Sequence, residues 1–443
     1  MRSHRASSTS GRIDEEVHID ALSHDGRGLA RYRGKALFVE GALQGEDVKV
    51  QVTEEKRRFI SARTREVVKP SAERCLPPCR HFKQCGGCSL QYWSHQGQIK
   101  GKQQIVLDQL RRFADQVPLE VNEPLLSEPY GYRYRCRLSI RWKKGHLHIG
   151  FREKSSQAIC SITECPVLVE PLQALPQQLR THLPELKARE AITHTECFLA
   201  DNGVGVLLRN IRSLPDEDHR RLIRFAEDHK LQLYLQDNNG QVKCLHAPSG
   251  QNWPTYQLPK YQVELEFQPQ DFTQVNWFVN RDMITRAIEW LQPKITDNVL
   301  DLFCGLGNFS LPLARKAAFV TGVEGSESSV ERAKDNAKRN SLDNTAFYAA
   351  DLSADLASQP WTQKQYDIVL LDPPRTGAQE VIKQMSNLLP PKVLYISCNP
   401  ATLARDTGIL AEQGFIIQRL SVMDMFPQTA HVESMALFVR TKK

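Results

Sequence analysis

The chain has 443 residues, 41% hydrophobic and 25% charged, the balance of a globular protein with room for two or three separate cores. No apolar run approaches the roughly 18 residues of a membrane span, and the basic, Ser-rich start MRSHRASSTSGR lacks the apolar stretch of a secretory signal. The expectation is a cytoplasmic protein with no membrane partner and a disordered basic tail over residues 1–11.

The net charge of +7 is unevenly spread, since residues 1–160 hold 29 Lys and Arg against 18 Asp and Glu. That asymmetry points to a polyanion-binding front half joined to a near-neutral rear half. From Ile13 to about Val68, short alternating segments (EEVHIDAL, KALFVEG, VKVQV) are broken by Gly-containing turns, the pattern of a small OB-like β-barrel. Lys56, Arg57, Arg58, Arg63 and Arg65 give it a basic surface. The stretch DGRGLARYRGKALFVEGALQGEDVKV resembles a TRAM domain, an RNA-binding barrel attached to RNA-modifying enzymes.

In a reduced compartment the eleven cysteines read as metal ligands, catalytic groups or small core residues. Four of them, Cys75, Cys79, Cys85 and Cys88, fall within CLPPCRHFKQCGGCSLQYW. Spacing alone leaves a zinc knuckle and an iron–sulfur cluster both open. The C-x3-C-x2-C spacing of radical enzymes is absent. An amphipathic helix is predicted from Gln96 to Phe113, followed by a strand-like run in YGYRYRCRLSIRWKKGHLHIGF. Read with period two, Arg133, Arg135, Arg137 and Arg141 share one face of it, suited to phosphate contacts or to acidic partners across a sheet. Further on, Cys165 precedes a proline in SITECPVL.

From about residue 295 the runs NVLDLF, FVTGVE, TAFYAAD, YDIVLLD and KVLYIS alternate with helical stretches. Such alternation predicts an α/β fold, a doubly wound and mostly parallel sheet with its ligands at the carboxyl ends of the strands. The first run ends in DLFCGLGNFS, in which Asp301 precedes a Gly turn before a helix, and the next ends in Glu324, where an acid can hold ribose hydroxyls. Asp351 ends the third run, placed to face an adenine. The pattern is that of S-adenosylmethionine-dependent methyltransferases. The fourth run leads into LLDPPRTG with Asp372, a stiff loop beside the cofactor, in which Arg375 stands where amino-group methyltransferases carry an aromatic residue. The fifth ends in YISCNPATLARD, which sets Cys398 at the same sheet edge.

A cysteine there suits methylation at carbon 5 of uracil. A thiolate adding to C6 makes C5 nucleophilic, and a base must then remove the C5 proton. The site must therefore lower the thiol pKa or capture its proton. Glu433 in HVESMALFVR, ahead of a terminal apolar strand, is the candidate base.

The set DFTQVN, DLFCGLGNF, LLDPPRTG, YISCNPATLARD and HVESM resembles the RNA uracil-C5 methyltransferases, and the barrel with its cysteine cluster resembles their 23S ribosomal RNA branch. The resemblance implies class I methyltransferase chemistry on a flipped-out uridine, uridine 1939, by a monomer. It implies Cys398 as nucleophile, Glu433 as proton acceptor, and Gln274, Phe303, Asn308, Glu324, Asp351 and Asp372 around S-adenosylmethionine. It also implies a [4Fe–4S] cluster on Cys79, Cys85, Cys88 and Cys165, leaving Cys75 out. The division expected is a TRAM barrel over 12–70, a central α+β iron–sulfur domain over 71–270 and a catalytic domain over 271–443. Alternatives are a different rRNA or tRNA uridine, amino-group methylation, or a catalytically silent RNA-binding assembly factor.

Overall fold

The computed structural model describes residues 12–441 apart from 24, 387 and 388, so the expected tail over 1–11 lies outside the described residues. The front unit comprises β1 (Arg12–His18), β2 (Ala21–Leu22), β3 (Gly28–Tyr32), β4 (Lys35–Glu40), β5 (Asp47–Glu55) and β6 (Phe59–Lys69). These form one sheet in the order β1-β5-β6-β4-β3-β2. Period-two alternation sends Leu37, Val39, Val48 and Val50 into one core with Ile19. Register shifts in the β5–β6 pairing bend the two long strands. Of the predicted basic cluster, Lys56, Arg63 and Arg65 pair with Glu54, Glu40 and Asp14. Arg57 and Arg58 stay exposed.

Ser94 caps α1 (His95–Ala114) by accepting the Gly97 N–H at 3.1 Å. A short strand, β7 (Glu120–Val121), follows. The central sheet holds β8 (Arg135–Lys143), β9 (His146–Arg152), β10 (Ile159–Ser161), β11 (Ile192–Ala200), β12 (Gly203–Asn210), β13 (Leu231–Gln236) and β14 (Val242–His246). Its order is β10-β9-β8-β11-β12-β13-β14. Helices α2 (Glu170–Gln173), α3 (Leu175–His182) and α4 (Asp216–Asp228) cover one face. Leu172, Leu179, Leu222 and Phe225 pack there on Cys136, Leu138, Ile140 and Leu208. The hairpin of β15 (Thr255–Leu258) and β16 (Val263–Glu266) leads to the rear unit.

That unit contains α5 (Trp277–Leu291), β17 (Asn298–Leu302), α6 (Ser310–Ala314), β18 (Phe319–Glu324), α7 (Glu327–Arg339), β19 (Thr345–Ala349) and β20 (Ile368–Leu371). It continues with α8 (Gln379–Gln384), β21 (Lys392–Ser397), α9 (Pro400–Glu412), β22 (Phe415–Met423) and β23 (Glu433–Arg440). The five predicted runs are β17 to β21, all paired in parallel. In β17, β18, β20 and β21 the side chains are buried on both faces, which explains continuous apolar runs rather than alternation, while β19 at the edge buries only Phe347. The sheet order is β19-β18-β17-β20-β21-β23-β22-β7, with β23 antiparallel between β21 and β22. The front of the chain completes this unit: β7 adds to its edge beside β22, and α1 packs on α9. Among the described residues no helix is long and apolar enough to cross a membrane.

Candidate active site

From β17 the sheet runs toward β18 on one side and β20 on the other, the crevice position for ligands in such sheets. A cleft of about 1070 Å³ opens there, lined by Gln274, Phe303, Asn308, Glu324, Asp351, Asp372, Cys398 and Glu433. All eight residues predicted for catalysis and cofactor binding therefore face one space.

One end is built from the turn after β17. Phe303, Gly305 and Gly307 have φ of +66°, +54° and +93°. Glycine takes that conformation freely, whereas Phe303 does so at a cost of about 1 kcal/mol or more. The turn lets the Gly305 N–H donate to Glu324 Oε2 at 3.2 Å, while the Ser326 N–H donates to Oε1 at 3.1 Å. Glu324 is thus fixed with lone pairs left for a diol. Asn308 and Asn280 of α5 exchange amide hydrogen bonds, and the Tyr256 hydroxyl donates to Asn308 Oδ1 at 2.9 Å, so Asn308 also anchors the loop. Asp351 accepts the Ser353 N–H and hydroxyl, which hold its exposed carboxyl below the usual range. Asp301, fully buried, accepts the Ser310 hydroxyl and is pushed up to about 7 by burial. It ties the end of β17 to α6.

The other end joins two loops. Asn399 caps α9 through its Oδ1, and its Nδ2 donates to the Arg375 carbonyl at 3.1 Å. The Thr402 hydroxyl donates to the same carbonyl, and Arg405 donates to that of Thr376. The Asp-Pro-Pro-Arg loop is therefore tied to the turn that carries Cys398. A side chain at Gly377 would collide with Arg405 and Asp406 at about 2.5–2.6 Å, so this close approach requires glycine.

Three acidic groups share this end. Burial alone pushes Asp372 up to about 7. Burial and then Asp372 push Glu433 up to about 8, opposed by Arg375 and Lys102. Burial, Glu433 and Asp372 push the Cys398 thiol up to about 11, with Arg375 the cation that opposes them. Of the two expected ways to activate the thiol, these neighbours work against the first, a lowered pKa. Proton capture by a carboxylate of raised pKa remains. The sequence marks no clear cation beside the thiol, and Arg375 stands out in it only for replacing an aromatic residue; the fold is what brings its charge to Cys398. His431, whose ring lies 3.2 Å from the Arg375 guanidinium, and the buried Lys102 gave no signal.

The cysteine cluster lies apart from the cleft. Burial, and then mainly neighbouring thiols, raise Cys165, and Cys88 is pushed up to about 11 with Cys85 and Cys79 adding to burial. Gly87 N–H donates to Cys85 Sγ at 3.4 Å. Cys75 is exposed and donates to the Gln91 carbonyl. Among the described residues no group of three or more His, Cys, Asp or Glu side chains is placed to hold a metal ion. Cys79 and Cys85 act on Cys88, and Cys88 and Cys85 on Cys165, so the four expected thiols are neighbours of the donor type that an iron–sulfur cluster uses. Cys160 also lies against Cys85, a neighbour that spacing did not suggest.

The arginine face is only partly as expected. Arg135 is committed to Glu196 and to the Pro269 and Asp271 carbonyls, pinning the central sheet to the segment before α5. Arg133 donates to the Arg135 carbonyl at 2.9 Å. Arg137 and Arg141 remain exposed. Arg137, Arg152 and Arg209 surround His194 and, after burial, are what lower its pKa.

The family described as tRNA (Uracil-5-)-methyltransferase matches residues 94–441, and the TRAM domain matches residues 14–64. The chain is 44% identical over 424 residues to 23S rRNA (uracil(1939)-C(5))-methyltransferase RlmD of Shewanella halifaxensis, covering 95% of each. It is 45% identical over 426 residues to the protein of that name from Pseudomonas entomophila, covering 96% of this chain and 93% of that one. Its fold is similar to that of Pyrococcus abyssi tRNA (uracil-54, C5)-methyltransferase, solved with S-adenosyl-L-homocysteine, at a TM-score of 0.73 and 24% identity. That match covers 96% of this chain and 100% of the other.

Proposed function

Since the chain belongs to the RNA uracil-C5 methyltransferase family, whose members use S-adenosylmethionine, we propose that it methylates C5 of uridine 1939 in 23S ribosomal RNA through a covalent bond to Cys398. The observation that carries this is the meeting of Cys398, Asp372 and Glu433 at one end of a cleft whose other end is the glycine turn with Glu324.

When bound, S-adenosylmethionine supplies an electrophilic methyl group. Glu324 is suited to its ribose hydroxyls and Asp351 to its adenine amino group, with Gln274, Phe303 and Asn308 completing the walls. Cys398 Sγ bonds to C6 of the uracil, and Asp372 takes the thiol proton as that bond forms. C5 thereby gains the electron density to accept the methyl, whose bond to the sulfonium sulfur would break with the electron pair staying on that sulfur. Ionised Glu433 then removes the C5 proton, the C5–C6 double bond re-forms, and the sulfur leaves to recover its proton from Asp372. Arg375 steadies the departing thiolate.

Arg57 and Arg58 in the turn between β5 and β6, and Arg137, Arg141, Arg152 and Arg209 on the central sheet, are suited to RNA phosphates. Flipping the target base costs a few kcal/mol, which those contacts offset. Cys79, Cys85, Cys88 and Cys165 would hold a [4Fe–4S] cluster with a structural or RNA-contacting role, since the transfer itself moves no electron to or from a metal. The protein would act as a monomer. The test is mass-spectrometric mapping of RNA from cells with and without the gene. Loss of 5-methyluridine at position 1939 of 23S RNA is expected. Its retention there, or loss of an amino-group methylation instead, rejects the assignment.

A further inference from the structure

We propose that Lys102, on α1 of the front half, is a positioning residue for the C5-proton step: it holds the loop that leads into Glu433 and sets its ammonium charge toward the Glu433 carboxylate. The inference rests on Glu433 being the C5 base. Residues 424–432 connect β22 to β23, and Phe426 and His431 of this loop line the cleft with Glu433. Lys102 is 2% exposed and Asp424 fully buried. Lys102 Nζ donates to Asp424 Oδ1 at 3.1 Å and to the Phe426 carbonyl at 2.9 Å, while His95 Nε2 lies 2.6 Å from Asp424 Oδ2. One turn earlier, Gln98 and Gln428 exchange hydrogen bonds, at 2.9 Å from the Gln428 N–H and 3.0 Å between the side chains. The Tyr132 hydroxyl donates to the Pro427 carbonyl at 2.9 Å.

The neutral Gln98–Gln428 pair shows that a tie to this loop needs no charge. A buried ammonium is costly to desolvate, so its placement calls for a use of the charge itself. Asp424 opposes the burial that would neutralise Lys102, and Glu433 adds to that opposition. The charged and titrating groups around Glu433 are Asp372, Arg375, Lys102 and the Cys398 thiol; those around Lys102 are Asp424, Glu433 and His431, with His95 behind Asp424. Asp372 and burial favour protonated Glu433, and Lys102 and Arg375 favour the carboxylate that can take a proton.

The experiment follows tritium release from 5-tritiated uridine in substrate RNA across about pH 6 to about 10 with the full-length protein. Lys102→Met is compared with the double variant Lys102→Met/Asp424→Asn, which leaves no unpaired buried charge, and with Lys102→Arg. Both Met variants should shift the acid limb to higher pH, run roughly threefold or more slower at pH 7, and recover at high pH. Lys102→Arg should keep the limb in place. An unmoved limb in a folded variant, or an equal loss at every pH, overturns the proposal. No tritium release by the wild-type enzyme would instead reject Glu433's base step, and this proposal with it.

Discussion

Replacing Glu433 with Gln should separate the two halves of the reaction. With Glu433 at about 8, about a tenth of it is ionised at pH 7 and half at pH 8. Wild-type proton release should therefore speed up about tenfold from pH 6 to 7, about fivefold more to pH 8, and then level off. Glu433→Gln loses the base, for which about 10²–10⁴-fold is the usual contribution, and should lose that pH dependence. The same change removes the first charge, after burial, that pushes Cys398 up to about 11. At about pH 8 and above, where wild-type Glu433 is largely ionised, the variant's thiol should then ionise at lower pH and form the adduct faster. Single-turnover mixing with tritiated RNA reads release, and denaturing gels read the adduct. The expected outcome is an adduct that accumulates while tritium release stalls. Release within about threefold of wild type, or adduct formation slowed in step with release, would refute the assignment.

Because the folded pKa of Glu433 lies above its ordinary value of 4.5, its contribution to stability is full below about pH 4.5 and lost as pH rises through about 8. The melting temperature of Glu433→Gln should therefore gain on wild type between those limits, as scanning calorimetry can follow. Purified protein should absorb near about 400 nm if iron–sulfur is bound; Cys165→Ser should lose that band, and Cys75→Ser should keep it. Arg141→Ala should weaken RNA binding and lower the log–log salt slope by about 0.7, the single-strand value per phosphate contact, read by filter binding. Arg135→Ala should instead destabilise the fold by about 3 kcal/mol in urea titration, because it strands Glu196 and two carbonyls.

Much of the rear unit was legible because buried parallel strands need unbroken Val, Ile and Leu runs, and chemistry follows their carboxyl ends. Glu324, Asp372 and Cys398 stand there, and the same cleft holds them. What was not legible depends on partners remote in sequence. The apolar stripe of α1 did not say that α9 would cover it, and β7 carries too few residues to mark its edge position beside β22. Period two placed Arg135 on the correct face, yet its use is decided by Glu196, 61 residues away. Lys102 looks in sequence like any solvated helix charge, and only Asp424, 322 residues on, makes it a buried one.

The most direct measurement replaces the target uridine with 5-fluorouridine in RNA incubated with the protein and S-adenosylmethionine. Fluorine at C5 cannot be removed by Glu433 as a proton is, so the reaction should halt with RNA bound to protein. Peptide mass spectrometry should then find a methylated fluorouridine joined to Cys398, and Cys398→Ala should trap nothing. No covalent complex with the wild-type protein, or a bond at another residue, would contradict the covalent mechanism.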